Sequence, residues 1–185
     1  MKKLMIAITA VALGLAAQAA SYTWATGGRL YDGSGNTGSD YYMSGATAYL
    51  MFEDATYTAA TIGTKFADDA STVQSYVTSK NVGSATINSD SRISSTATST
   101  TTSTESAYFV IFANDKMYVS NVTSANYDSL NPSAVQEIAF GAQTTASKLT
   151  VTSGQGWYAA SVPEPTSGLL LLLGMAGLAL RRRRA

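Results

Sequence analysis

Between residues 20 and 161 the chain alternates short apolar runs with glycine-rich and polar breaks. Residues 22–25, 46–52, 82–87, 107–113, 116–122, 135–140, 148–152 and 156–160 each predict a strand. In 46–52 the pattern places Tyr49 and Met51 on one face and Ala48 and Leu50 on the other. Run 107–113 is apolar on both faces, Tyr108, Val110 and Phe112 against Phe109 and Ile111, so it predicts a central strand in a sheet covered on both sides. In 116–122, Met117 and Val119 alternate with Tyr118 and Ser120. Asn114-Asp115 between these two runs is a two-residue hairpin signal, because both residues tolerate positive φ.

One stretch departs from the period of two. Phe66, Ala70, Val73 and Val77 form a single helical stripe, with Lys65, Asp68, Asp69, Thr72 and Ser75 opposite, predicting one helix over about 64–79 with Asn81 near its C-cap. The polar face is acidic, which favours packing across a sheet over lying on a membrane surface. The expected fold is therefore mainly β: one antiparallel β-sandwich-like domain with one short covering α-helix. Residues 94–106 are almost wholly Ser and Thr and are expected to form a loop, with a polar edge strand as the alternative.

The two ends follow a different logic. Met1-Lys2-Lys3, an apolar run over 4–16 and the small-x-small site Ala17-Gln18-Ala19 have the layout of a signal peptide, 1–19, cut after Ala19. A helix of that apolar length reaches only about 20 Å, short of the roughly 30 Å hydrocarbon core. At the other end, Val162-Pro163-Glu164-Pro165 precedes an uncharged segment, 168–180, and then Arg181, Arg182, Arg183 and Arg184. The prolines hold the residues before them extended. The arginines mark the cytoplasmic side of a short transmembrane helix, leaving the body outside and the precursor tethered at the inner membrane.

Together, proline–glutamate–proline segment, short apolar helix and arginine cluster resemble the PEP-CTERM sorting signal of Gram-negative bacteria, over residues 162–185. The resemblance implies a transient partner, an exosortase, which is a membrane-embedded cysteine transpeptidase that processes the tail and passes the protein to the cell surface or extracellular matrix. Signal peptidase and the secretion machinery are the other implied partners, and exopolysaccharide is a partner to be expected in a matrix. The organisation is then a signal peptide, a β-rich extracytoplasmic body over 20–161, and the sorting signal.

Composition narrows the chemistry of the body. Its 185 residues include no Cys and no His, which removes disulfides, thiolate or imidazole metal sites, catalytic Cys and Ser-His-Asp triads. Charged residues make up 13% of the chain, against roughly 25% in ordinary domains. The formal net charge of zero conceals an acidic body, since half of the twelve basic residues lie at the termini. Nucleic acid is accordingly not an expected partner.

Asp32, Asn36 and Asp40 in a glycine-rich stretch are a weak metal candidate. Read as an EF-hand loop from Asp32, the sixth position is Thr37 where Gly belongs, and the twelfth is Met43 where a bidentate Glu belongs. A surface turn without metal or cofactor is the expectation. The pairs Glu53-Asp54 and Asp68-Asp69 are the remaining carboxylate candidates, but neighbours in sequence point apart on strand or helix. No catalytic residue is assigned, and the chain is expected not to be an enzyme. Eleven Tyr and two Trp leave open a glycan-binding surface, against which stands the aptitude of Tyr for half-buried strands. The expected role is structural or adhesive, with a carbohydrate-binding module as the alternative.

Overall fold

The computed structural model describes residues 19–31, 43–101, 103–113, 115–131, 133–141 and 156–161. In chain order its elements are β1 (Ala20–Thr26), β2 (Thr47–Phe52), α1 (Ala59–Asp68), α2 (Ala70–Lys80), β3 (Gly83–Thr86), β4 (Ser94–Ser99), β5 (Glu105–Ala113), β6 (Lys116–Val119), β7 (Thr123–Ala125), β8 (Val135–Phe140) and β9 (Gly156–Ala159). The expected signal peptide before Ala19, the expected strand 148–152 and the tail from Val162 onward lie outside the described residues.

The strands form two sheets. A six-stranded sheet runs β3-β2-β5-β6-β9, with β7 pairing the start of β5, and its ladders are all antiparallel. A three-stranded sheet runs β4-β1-β8. There β1 pairs β4 antiparallel but β8 in parallel, so the antiparallel expectation fails at this one ladder. The reason is connectivity: no tight hairpin joins β8 to β1, so nothing local forces the two strands to run in opposite directions.

The sheets face each other across one core. Tyr22 and Trp24 of β1 and Ile138 and Phe140 of β8 meet Ala48 and Leu50 of β2, Phe109 and Ile111 of β5, Tyr118 of β6 and Trp157 of β9. Phe109 holds the centre, its ring 4.9 Å from Phe140 and 6.2 Å from Trp24. The opposite face of the large sheet carries Met51, Tyr108, Val110, Met117 and Val119, and the helices cover it with Ile62, Phe66, Val73 and Val77. Strand β5 thus lies between β2 and β6 with a sheet on one side and helices on the other, as its two apolar faces predicted. The connection from Ala113 to Lys116 is the expected two-residue turn, with Asp115 at φ 58°.

The helical stripe is real, but it is divided between two helices. Asp69 sits at φ −146°, ψ 87°, ending α1 through its N–H to the Lys65 carbonyl (2.8 Å) and starting α2 by accepting from Thr72 N–H (3.1 Å) and the Thr72 hydroxyl (2.6 Å). An Asp followed by Ser71 and Thr72 is worth more to the chain as an N-cap than inside a helix. Asn81 closes α2, its amide donating to the carbonyls of Val77 (3.1 Å) and Thr78 (2.9 Å).

The Ser/Thr-rich stretch corrects a second expectation. Residues Ser94–Ser99 form β4 at the edge of the small sheet, paired with β1. Only Ala97 points into the core, and Gly83 accommodates it: a Cβ built on Gly83 would lie 2.6 Å from that of Ala97. Strand β6 also stops earlier than its pattern suggested. Ser120 turns its hydroxyl inward to accept from Phe109 N–H (2.8 Å) and donate to the Asn121 carbonyl (2.8 Å), so the ladder breaks before β7 resumes on β5.

Candidate functional sites

The structure describes the residues at which the two expected address segments join the body. Ala19 is exposed, and Ala20, the first residue after the expected cut, is fully buried at the start of β1. Ala17 lies outside the described residues, as do Val162, Pro163, Glu164, Pro165, the segment 168–180 and Arg181 to Arg184. Among the described residues no helix is long and apolar enough to cross a membrane.

The C-terminal junction is held firmly. Strand β9 pairs with β6 and sends Trp157 into the core, its ring 5.5 Å from Tyr118. Tyr158 turns the other way and lies on Gly63 of α1, where the absence of a Cβ admits the ring. Trp157-Tyr158 therefore sends one ring to each face of the sheet. Ala160 N–H donates to the Asp115 carbonyl (3.3 Å), and Ser161 N–H to the Ala67 carbonyl at the end of α1 (2.9 Å), which the Ser161 hydroxyl also reaches. Nothing slack separates the last strand from the residue that precedes Val162.

The carboxylate pairs are occupied with local structure. Glu53 accepts from Ala59 N–H (3.0 Å) and so caps α1 from outside. Asp54 accepts from Thr56 N–H (2.7 Å) and Tyr57 N–H (2.8 Å), and from the Tyr76 hydroxyl on α2. The Tyr76 bond chiefly, with the two N–H groups, holds the Asp54 carboxyl below its usual range, while burial and Asp54 push Tyr76 up to about 12. The Tyr57 and Tyr76 rings meet at a tilt of 47° with centroids 4.2 Å apart, and the Lys65 ammonium lies 4.5 Å above the Tyr57 ring. Asp69 is the cap already described, and Thr72 lowers its pKa most. Asp68 is exposed. Neither pair converges across a cleft in the way a glycosidase requires.

Sequence reading missed these roles, although Asp54-Ala55-Thr56-Tyr57 and Asp69-Ala70-Ser71-Thr72 both carry the signal. A short side-chain acceptor two or three residues before the N–H groups it satisfies is the mark of an Asx turn or N-cap.

The weak metal candidate Asp32, Asn36 and Asp40 lies outside the described residues. Ser91, buried and at φ 59°, donates its hydroxyl to the carbonyls of Met43 (2.7 Å) and Leu30, and Met43 N–H bonds the Leu30 carbonyl (3.0 Å). Leu30 and Met43 are thereby clamped together. Among the described residues no group of three or more His, Cys, Asp or Glu side chains gathers to hold a metal.

Aromatic side chains fill the interior. Among the described residues every Tyr, Phe and Trp is buried or half-buried, and the large exposed apolar residues are Val122, Leu130 and Val135. Three polar atoms carried inward with the rings, Tyr22 Oη, Trp24 Nε1 and Tyr108 Oη, make no hydrogen bond.

A family model described as the PEP-CTERM protein-sorting motif matches residues 161–184. No curated protein and no solved structure matches the chain. The motif marks the chain as an exported protein that exosortase processes as a sorting substrate, and directs it toward the cell surface.

Proposed function

We propose that this chain is made as an inner-membrane-tethered precursor, is released by exosortase, and then serves a structural or adhesive role at the cell surface or in the exopolysaccharide matrix. The observation that carries the proposal is the sorting motif at 161–184, attached without slack to a body whose described aromatic rings are buried or half-buried. Burial of those rings speaks against a flat stacking platform for sugars, the feature a carbohydrate-binding module would need. What remains outside is rich in Ser, Thr and Asn, a surface suited to hydrogen bonding with a hydrated matrix.

Physical logic assigns three tasks to the tail. The segment 168–180 resists extraction, the four arginines resist translocation, and the proline-held residues 163–165 offer an extended backbone with one carboxylate to an enzyme groove. Release then requires a covalent cut near Pro163, Glu164 and Pro165.

Fractionation of the native host with mass spectrometry of the C-terminus tests the reading. Wild-type protein at the surface should lack Arg181 to Ala185. Glu164→Ala combined with Pro165→Ala should leave the full-length chain in the inner membrane. Surface protein that keeps its arginines, or a double variant that matures normally, would reduce the tail to a plain anchor. Saturable binding of the body to one purified polysaccharide would favour the module instead.

A further inference from the structure

The junction between body and tail constrains how the tail can be read, an inference that rests on the sorting reading above. Ser161 is bonded to the end of α1, and Pro163 follows it by two residues and Pro165 by four. Extended chain spans at most about 3.6 Å per residue, so Pro165 lies within about 14 Å of Ser161. Even a small protein domain is about 30 Å across. An enzyme that grips 163–165 from any side therefore meets the body. Freeing Ala160 and Ser161 gains only about 7 Å. Further slack requires unpairing Ala159 from Lys116 and drawing Trp157, 2% exposed, out of the core.

The surface it meets has a shape. Beside Ala160, between the helices and the β5–β6 hairpin, lies a groove of about 270 Å³ bounded by Phe66, Ala70, Gln74, Phe112 and Lys116. Its lining mixes the rings of Phe66 and Phe112 and the methyl groups of Ala70 and Ala160 with the polar side chains of Gln74, Asp115 and Lys116. We infer that this face of the body is a docking surface for the tail-processing enzyme, which seats an amphipathic projection in the groove while it holds Pro163 to Pro165. The occupant follows from where the chain leaves the fold: the groove opens at Ala160, and the enzyme's substrate begins immediately beyond it.

Because the chain has no cysteine, a single introduced thiol can be blocked selectively. Gln74→Cys places one at the groove, and Thr98→Cys places one on the exposed side of β4, in the sheet remote from the helices. Each full-length variant is labelled with a polyethylene-glycol maleimide, freed of reagent and incubated with inner membranes of the native host, and loss of the tail is followed by mass. Labelled Gln74→Cys should be processed at least tenfold more slowly than its unlabelled form, and labelled Thr98→Cys at its unlabelled rate. Inserting a flexible Gly/Ser linker of about 20 residues between Ser161 and Val162, which reaches about 25 Å on average, should bring labelled Gln74→Cys back to within about twofold. Equal rates for the two labelled variants would overturn the inference while leaving the sorting reading intact. An unlabelled chain that keeps its tail would overturn both.

Discussion

Gly63 is the sharpest point at which local preference and tertiary packing disagree. It lies inside α1, where replacing Gly by Ala ordinarily stabilises a helix by about 1 kcal/mol. Here a Cβ would fall 2.0, 2.1 and 2.3 Å from three atoms of the Tyr158 ring. Carbon atoms in contact prefer about 3.5–4.0 Å, so the ring must retreat by about 1.5 Å. It cannot swing freely, because Tyr158 is flanked by buried Trp157 and paired to Met117 through β9. Overpacking of this kind costs about 1–3 kcal/mol, and after the helical gain a net loss of up to about 2 kcal/mol remains. For a domain of this size that lowers Tm by up to roughly 8 °C. The assay is urea unfolding followed by Trp fluorescence, since Trp24 and Trp157 are both buried reporters. The decisive comparison is the Tyr158→Ala background, where Gly63→Ala should change sign and stabilise by up to about 1 kcal/mol. Stabilisation by Gly63→Ala in the wild-type chain, or the same effect in both backgrounds, would refute the packing argument.

Asp54→Asn should lower the urea midpoint at neutral pH. Because the folded carboxyl titrates below its unfolded value of about 3.9, the gap to wild type should be fully present above that value and close as pH falls through the depressed one. A gap that persists undiminished at the lowest accessible pH would contradict this. Ser91→Ala, which strips the Leu30 and Met43 carbonyls of a buried donor, should cost about 1–3 kcal/mol by the same melts. Ser91→Gly should cost less, because it relieves the left-handed backbone at φ 59°. Tyr108→Phe removes a buried hydroxyl that has no partner, so its melting temperature should equal or exceed that of wild type.

Much of this protein is written in local pattern. The period-two runs of β2, β5 and β6 dictated which residues face each core, since a strand cannot present neighbours to one side. The tail motif is legible because its matched residues, 161–184, form one short contiguous stretch. Other features depended on partners distant in sequence. Nothing local marks β8 as parallel to β1, and nothing local decides between loop and edge strand for the polar run 94–99, because its partners come from β1 and its one inward residue needs Gly83. The helix break at Asp69 was readable in its own cap, but the apolar stripe spanned the break and obscured it. The carboxylates Glu53 and Asp54 look like chemistry in one dimension. Only the fold, by bringing Ala59 N–H and the Tyr76 hydroxyl to them, commits them to structure. The short tether of the tail is likewise a tertiary fact, since it exists only because α1 offers Ala67 to Ser161.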